Sequence, residues 1–205
     1  MNKDDQIILT IEKNILFNNN HFNGFLEKNK GDFENTILNN KSWTRRGDAE
    51  KDFTKKQPIV YAIILNNKTK KIFLYKRAGK GNYHEQRLWN KISCGIGGHI
   101  DKPDENLENP LTACLLRELE EELGISGEPE ILGYINDDNA GEVEKVHFGV
   151  LYLIKTNEEN LSPKDGEIAT GKFHDLEEIE TLSKDFELEH WSKIALNALK
   201  DLNFK

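Results

Sequence analysis

The 205-residue chain is 37% apolar, with a formal net charge of -8 and a pI near 5.4. That content is enough for one sizeable core rather than two full domains. An acidic total does not suit a protein that grips nucleic acid or an anionic membrane by charge alone, so a polyphosphate ligand would need a bound divalent cation to neutralise it. Residues 1–6 lack the basic-then-apolar pattern of a signal segment, and no apolar run approaches a membrane span. The two cysteines, Cys94 and Cys114, make neither a disulfide framework nor a thiolate zinc site. The expectation is a cytoplasmic protein.

Residues 1–57 are rich in Asn, Lys and Asp, with apolar clusters at Ile7, Ile8, Ile11, Ile15 and Leu16 and at Phe22, Phe25 and Leu26. The first cluster has helical spacing. The segment reads as an N-terminal extension docked on a main domain at 58–205, and it is a candidate homodimer contact. Within it, Arg45 and Arg46 follow Trp43. This grouping can clamp a nucleotide base and phosphate, or simply be surface charge beside an anchoring tryptophan. The apolar run at 59–65, the turn at 66–70 and the alternation at 71–76 predict a hairpin. A third strand is expected near 89–95, leading into the glycine-rich stretch Cys94 to His99. Arg77, Arg87 and Lys91 flank this region with the same ambiguity as the earlier arginines.

A polar loop at 100–108 precedes a helix. Asn109 can cap it, Pro110 suits its first position, and Gly124 followed by Ile125 supplies a left-handed stop. Further strands are expected at 130–135 and 146–154, with another at 172–173, and a closing helix over 186–202. The order is α+β.

Along the predicted helix, Leu115, Leu116, Leu119 and Leu123 share one stripe that must face the core. Glu118, Glu121 and Glu122, spaced i, i+3 and i+4, converge on another face, and Glu120 points away from both. Either this is a solvated acidic face, or it is a site for a hard cation. No lysine occurs between Lys102 and Lys145 to neutralise it, and Arg117 is the only base on the helix.

The stretch Arg117 to Ile125 reads Arg-Glu-Leu-Glu-Glu-Glu-Leu-Gly-Ile and follows Gly97-Gly98 at the end of a strand. It resembles the Nudix motif: glycine, five residues, glutamate, seven residues, Arg-Glu, an aliphatic, any residue, Glu-Glu, any residue, glycine, an aliphatic. The second half matches at every specified position, and the resemblance covers roughly residues 58–182. It implies an α/β/α sandwich around a mixed sheet. It also implies a metal, Mg2+ or in its place Mn2+, held by Glu118, Glu121 and Glu122, with Arg117 bracing the glutamates. The implied reaction is hydrolysis of a nucleoside diphosphate linked to another moiety. The first half departs from the motif. The loop before the helix is five residues too long, and Asn109 stands where a glutamate is expected, so Glu108 or Glu105 would take that role. The long loop and the Gly-Ile-Gly-Gly-His stretch resemble a group of predicted Nudix phosphoesterases with an N-terminal extension.

Hydrolysing a diphosphate requires charge neutralisation and an activated water. In the family the base is a motif glutamate or an acid from a distant loop. Glu121 is favoured here as base or metal ligand. Among Asp137, Asp138, Glu142 and Glu144, Glu142 is the best loop candidate, against the plain alternative of an exposed turn carboxylate. Gly97 and Gly98 are expected to present backbone amides to phosphate. His99 would contact substrate or metal, or be a hydrogen-bonded structural histidine, and His147 is expected to be structural. Two rival functions are a catalytically silent nucleotide sensor and an isomerase. The second resembles isopentenyl diphosphate isomerases around Cys94, although His99 lies five residues away rather than following the Cys-Gly pair.

Overall fold

A strand buried on both sides loses the in–out alternation that marks a surface strand, and two segments among the described residues illustrate it. The first is Ile7 to Ile11, whose spacing predicts a helix. In the computed structural model it is a strand whose interior is buried throughout. Helical spacing and full burial coincide by chance over so few residues, and the Ile-Ile-Leu-Thr-Ile composition decides for β. The second is residues 55–66, a strand with eleven consecutive buried residues.

The structure describes residues 2–78, 91–106, 108–164 and 166–202, with the backbone alone for 105 and 106. In chain order the elements are β1 (Ile7–Glu12), α1 (Lys13–Phe17), β2 (Gly24–Glu27), α2 (Phe33–Asn40), β3 (Ser42–Arg45) and α3 (Arg46–Ala49). Next come β4 (Lys55–Asn66), β5 (Ile72–Arg77), β6 (Ile92–Ser93), β7 (Gly95–Ile96), α4 (Pro110–Leu123) and β8 (Glu130–Asn136). The remainder are α5 (Glu142–Val146), β9 (His147–Thr156), β10 (Ile168–His174), α6 (Leu176–Asp185) and α7 (His190–Asp201). The expected third strand is two short pieces, β6 and β7, and Trp89 and Asn90 lie outside the described residues. The closing helix starts at His190. Helices α2 and α6 were not expected. The class is α+β with a mixed sheet. No helix among the described residues is long and apolar enough to cross a membrane.

The chain forms two compact units. The first comprises Met1–Tyr61, Gly97–Leu115 and Ile131–Tyr152. Its strands run β4-β9-β8-β2, with β1 antiparallel to β3 and to the start of β4. Residues of the N-terminal segment are structural members of this unit: β2 pairs with β8, Phe25 opposite Ile135. Phe33 sits in an aromatic cluster, its ring centroid 4.9 Å from Tyr134, 5.3 Å from Phe148 and 6.2 Å from Phe17. Such pairs contribute about 0.5–1.5 kcal/mol each beyond their burial.

The second unit comprises Ala62–Ile96, Leu116–Glu130 and Leu153–Lys205. Here β5 pairs antiparallel with β4, as the hairpin reading expects, and with β10 on its other side. Arg77 donates to Glu189 at 2.9 Å and Lys91 to Glu187 at 2.7 Å, so both cations serve ion pairs with the segment before α7. Arg87 lies outside the described residues.

Two polar side chains in β4, Lys56 and Gln57, are fully buried in the first unit. Lys56 donates to Asp138 at 2.7 Å and to the carbonyls of His147 and Glu144 at 3.0 and 3.3 Å. Asp138 also accepts from Lys13 at 2.6 Å and lies 2.9 Å from His21 Nε2. Burial works against the Asp138 carboxylate, but the hydrogen bonds from Lys13, Lys56 and His21 outweigh it and hold its pKa well below the usual range. Burial lowers Lys56 to about 8 despite that partner.

Asp138→Asn is therefore expected to cost about 3–5 kcal/mol in denaturant unfolding, because it strands a buried ammonium. Since the folded Lys56 releases its proton before the unfolded chain does, its contribution to stability rises as pH climbs from about 8 toward the ordinary lysine range. In the variant that rise should begin at lower pH.

Candidate active site

Helix α4 is delimited as its ends predict. The Asn109 side chain accepts from the amides of Leu111 and Thr112 at 3.0 and 3.2 Å. Gly124 has φ +67°, its amide donates to Glu120 at 3.0 Å and that of Ile125 to Leu119 at 3.4 Å. A Cβ at Gly124 would meet only the flexible end of the Lys164 side chain, so it is the left-handed stop that favours glycine.

The buried face of α4 is Leu111, Cys114, Leu115, Leu119 and Leu123, while Leu116 is at 36% exposure rather than in the core. At 100° per residue this arc also takes in Glu122, which is buried. The three glutamates are thus graded across the edge of the buried face. Glu122 is inside, the Glu118 side chain is 17% exposed and that of Glu121 59%. Arg117 Nη1 donates to Glu118 at 2.8 Å and to Glu121 at 3.2 Å. Glu120 points elsewhere and accepts from Lys164 at 2.8 Å, a lysine far off in sequence. The acidic face is therefore partly neutralised, and by Arg117 itself. Carboxylates at i, i+3 and i+4 are the oxygen type of donor that a hard divalent ion prefers.

Residues 97–99 are stitched to β4 within the first unit. Ile59 and His99 form an antiparallel bridge, and the Val60 amide donates to the Gly98 carbonyl at 3.1 Å. Gly97, at φ +150°, lies so close that a Cβ would overlap the Val60 carbonyl oxygen. The glycine there is required by backbone approach.

Comparison with known proteins decides the family. The model of the NUDIX domain matches residues 55–196. Protein YmaB of Bacillus subtilis (strain 168) is 37% identical over 163 residues, 76% of this chain and 77% of YmaB. The crystal structure of Tm1382, a protein assigned to the Nudix hydrolases, superposes with a TM-score of 0.74 at 30% identity, covering 96% of this chain and all of that one. The NUDIX domain of Shewanella oneidensis NrtR, solved with ADP-ribose, shares the fold at 15% identity and a TM-score of 0.54, over 72% of this chain and 88% of its own.

The chain belongs to the Nudix superfamily.

It is accordingly a hydrolase, of the class that acts on nucleoside diphosphate derivatives and uses a divalent metal. Its departure from the Nudix motif has a structural counterpart. Asn109, at the motif's glutamate position, is committed to capping α4 and to a 3.1 Å bond with Glu34. Glu108 is exposed, and the Glu105 side chain lies outside the described residues. Among the loop acids, Asp138 is held by Lys13, Lys56 and His21, which leaves it no freedom to act as a base. Glu142 is exposed in the first turn of α5.

Arg45 bonds Asp5 at 2.7 Å and lies 3.5 Å from Asp48, Arg46 faces Glu50 at 3.4 Å, and the cation over the Trp43 ring is Lys102 at 4.9 Å. In the second unit, Cys94 is buried with its thiol directed at the Ser192 carbonyl, 3.9 Å away, a packing position rather than an isomerase's reacting group. Cys114 is likewise buried, its thiol 3.2 Å from the His99 carbonyl.

His99 and His147, taken separately in the sequence, meet: their Nε2 atoms are 3.2 Å apart, and His99 Nε2 is 2.8 Å from Gln57 Oε1. Burial, then the charges of His147, Arg46 and Lys3, push the His99 pKa well below its ordinary value. Neither Glu50 nor Gln57 carries a sequence signal. Glu50 looks like any surface acid, and Gln57 is one polar residue at the edge of an apolar run.

Gly97→Ala is expected to destabilise the protein by about 1–3 kcal/mol through backbone strain. A thermal melt within error of the parent would refute the close approach to Val60.

Proposed function

We propose that the protein hydrolyses a phosphoanhydride bond in a nucleoside diphosphate linked to another moiety, with Mg2+, or Mn2+ in its place, held by Glu118, Glu121 and Glu122. The observation that carries this reading is the graded carboxylate set on α4 with Arg117 spanning Glu118 and Glu121. The NUDIX match over residues 55–196 supports it. When bound, such an ion neutralises charge at the bridging oxygens and lowers the pKa of a coordinated water.

The residues divide the remaining work. Arg117 orients Glu118 at 2.8 Å and holds the exposed Glu121 only loosely at 3.2 Å, so part of the ordering cost is met before substrate arrives. Glu122, buried, is the rigid donor. Glu121, the most exposed, has the freedom to accept a proton from the attacking water or to serve as ligand. Glu142 is the loop carboxylate proposed for the alternative base. Residues 1–57 are read as an extension whose strands β1, β2 and β3 complete the first unit, a reading supported by the family model's start at residue 55.

Release of phosphate or nucleoside monophosphate from a panel of nucleoside diphosphate derivatives, first with Mg2+ and then Mn2+, tests the proposal. Glu121→Gln is expected to lower kcat by about 10²–10⁴-fold. Arg117→Ala should lose about 10–100-fold, as for groups that orient a ligand rather than supply one. Glu142→Gln should match the Glu121 variant only if the loop carboxylate is the base. A panel on which the parent protein and Glu121→Gln are equally inactive would sink the hydrolytic assignment of these residues.

A further inference from the structure

The first unit contains a second donor cluster, chemically unlike the carboxylates of α4. Glu50, His99 and His147 each offer one ligand atom, and those atoms lie within 4.8 Å of one another. They come from separate places in the chain. Glu50 follows α3, His99 follows the glycine pair pinned to β4, and His147 opens β9. The two imidazoles are nearly perpendicular, 71° between planes, with their Nε2 atoms 3.2 Å apart. Glu50 Oε1 is 4.0 Å from His147 Nε2. Gln57, fully buried, brings Oε1 to 2.8 Å from His99 Nε2, while its own Nε2 has no hydrogen-bond partner among the described residues.

We propose that Glu50, His99 and His147 form a binding site for a divalent transition ion of the zinc class, with the Gln57 side-chain oxygen at its edge. Three arguments carry it. First, bonds of about 2.0–2.1 Å to nitrogen in tetrahedral geometry place neighbouring ligand atoms about 3.3 Å apart, and the observed histidine separation fits that edge. Second, neutral imidazoles suit zinc-class ions, whereas magnesium and calcium prefer oxygen, so this cluster and α4 select different metals. Third, all three side chains are partly exposed, which leaves a path for an ion to enter. Two histidines and one glutamate are also the ligand number that leaves a fourth position for Gln57, water or an anion.

The cations that face His99 are Arg46 and Lys3, and Arg46 Nε also lies 3.4 Å from Glu50 Oε1. Arg46 therefore competes with the ion for the carboxylate. This sets an expectation that a purely structural histidine pair would not share: removing the guanidinium should tighten metal binding.

The test is zinc titration of chelator-stripped protein in excess magnesium, which occupies oxygen-only sites, with cobalt absorption reporting nitrogen coordination. One equivalent of zinc is expected with a Kd below about 1 µM, and the same equivalent in Glu121→Gln. His147→Ala and His99→Ala should each weaken it at least 100-fold, Glu50→Gln by about tenfold, and Arg46→Gln should strengthen it several-fold. Zinc should raise the Tm of the parent and of Arg46→Gln but not of His147→Gln, whose metal-free melt checks folding independently. Absence of a zinc equivalent in excess magnesium, its persistence in both histidine variants, or its loss in Glu121→Gln would overturn the proposal.

Discussion

Strand β4 is buried along almost its whole length, and that burial constrains everything attached to it. A strand with no exposed face needs neighbours on both edges and cover on both sides. The edges are taken by β1, β5, β7 and β9 along different parts of its run. Two of its buried polar side chains, Lys56 and Gln57, then dictate what must be brought to them. Lys56 cannot remain an ammonium at full burial without a counter-charge, and Asp138 supplies it, drawing Lys13 and His21 into the same cluster. Gln57 meets His99. The N-terminal segment is therefore joined to the rest of its unit by charge pairing as well as by strand pairing and aromatic contacts.

The same strand explains the glycine pair. Residues 97–99 approach β4 so closely that a side chain at Gly97 would overlap the Val60 carbonyl. That approach fixes the backbone at His99, whose imidazole meets Gln57 and His147. A glycine whose motif role suggests contact with phosphate thus has a packing reason of its own.

Electrostatics in α4 follow a different logic. Like-charged carboxylates on one helix face repel, and the face is tolerated because Arg117 bridges two of them while Glu120 is drawn off by Lys164. The outcome is a set of carboxylates graded from buried to exposed. The histidine cluster of the first unit is built from softer donors with a basic neighbour in Arg46.

Helix α4 was legible from the sequence end to end, because its information is local: a cap at Asn109, proline at the first turn, a glycine stop and side chains spaced by the helical period. The hairpin of β4 and β5, the family and the enzyme class were legible for the same reason. Position along a single element decides which of Glu118, Glu121 and Glu122 share a face. Local pattern misjudged Leu116 and Glu122, since the width of a helix's buried arc depends on what packs against it. It also misread Ile7 to Ile11, where burial on both sides erases the strand period. Only the tertiary structure decided that Asp138 is an anchor rather than a free base, that Asn109 serves the helix cap, and that His99 and His147 meet beside Glu50. Those outcomes depend on residues tens of positions apart being brought to the same few ångströms, and no spacing within one element encodes that.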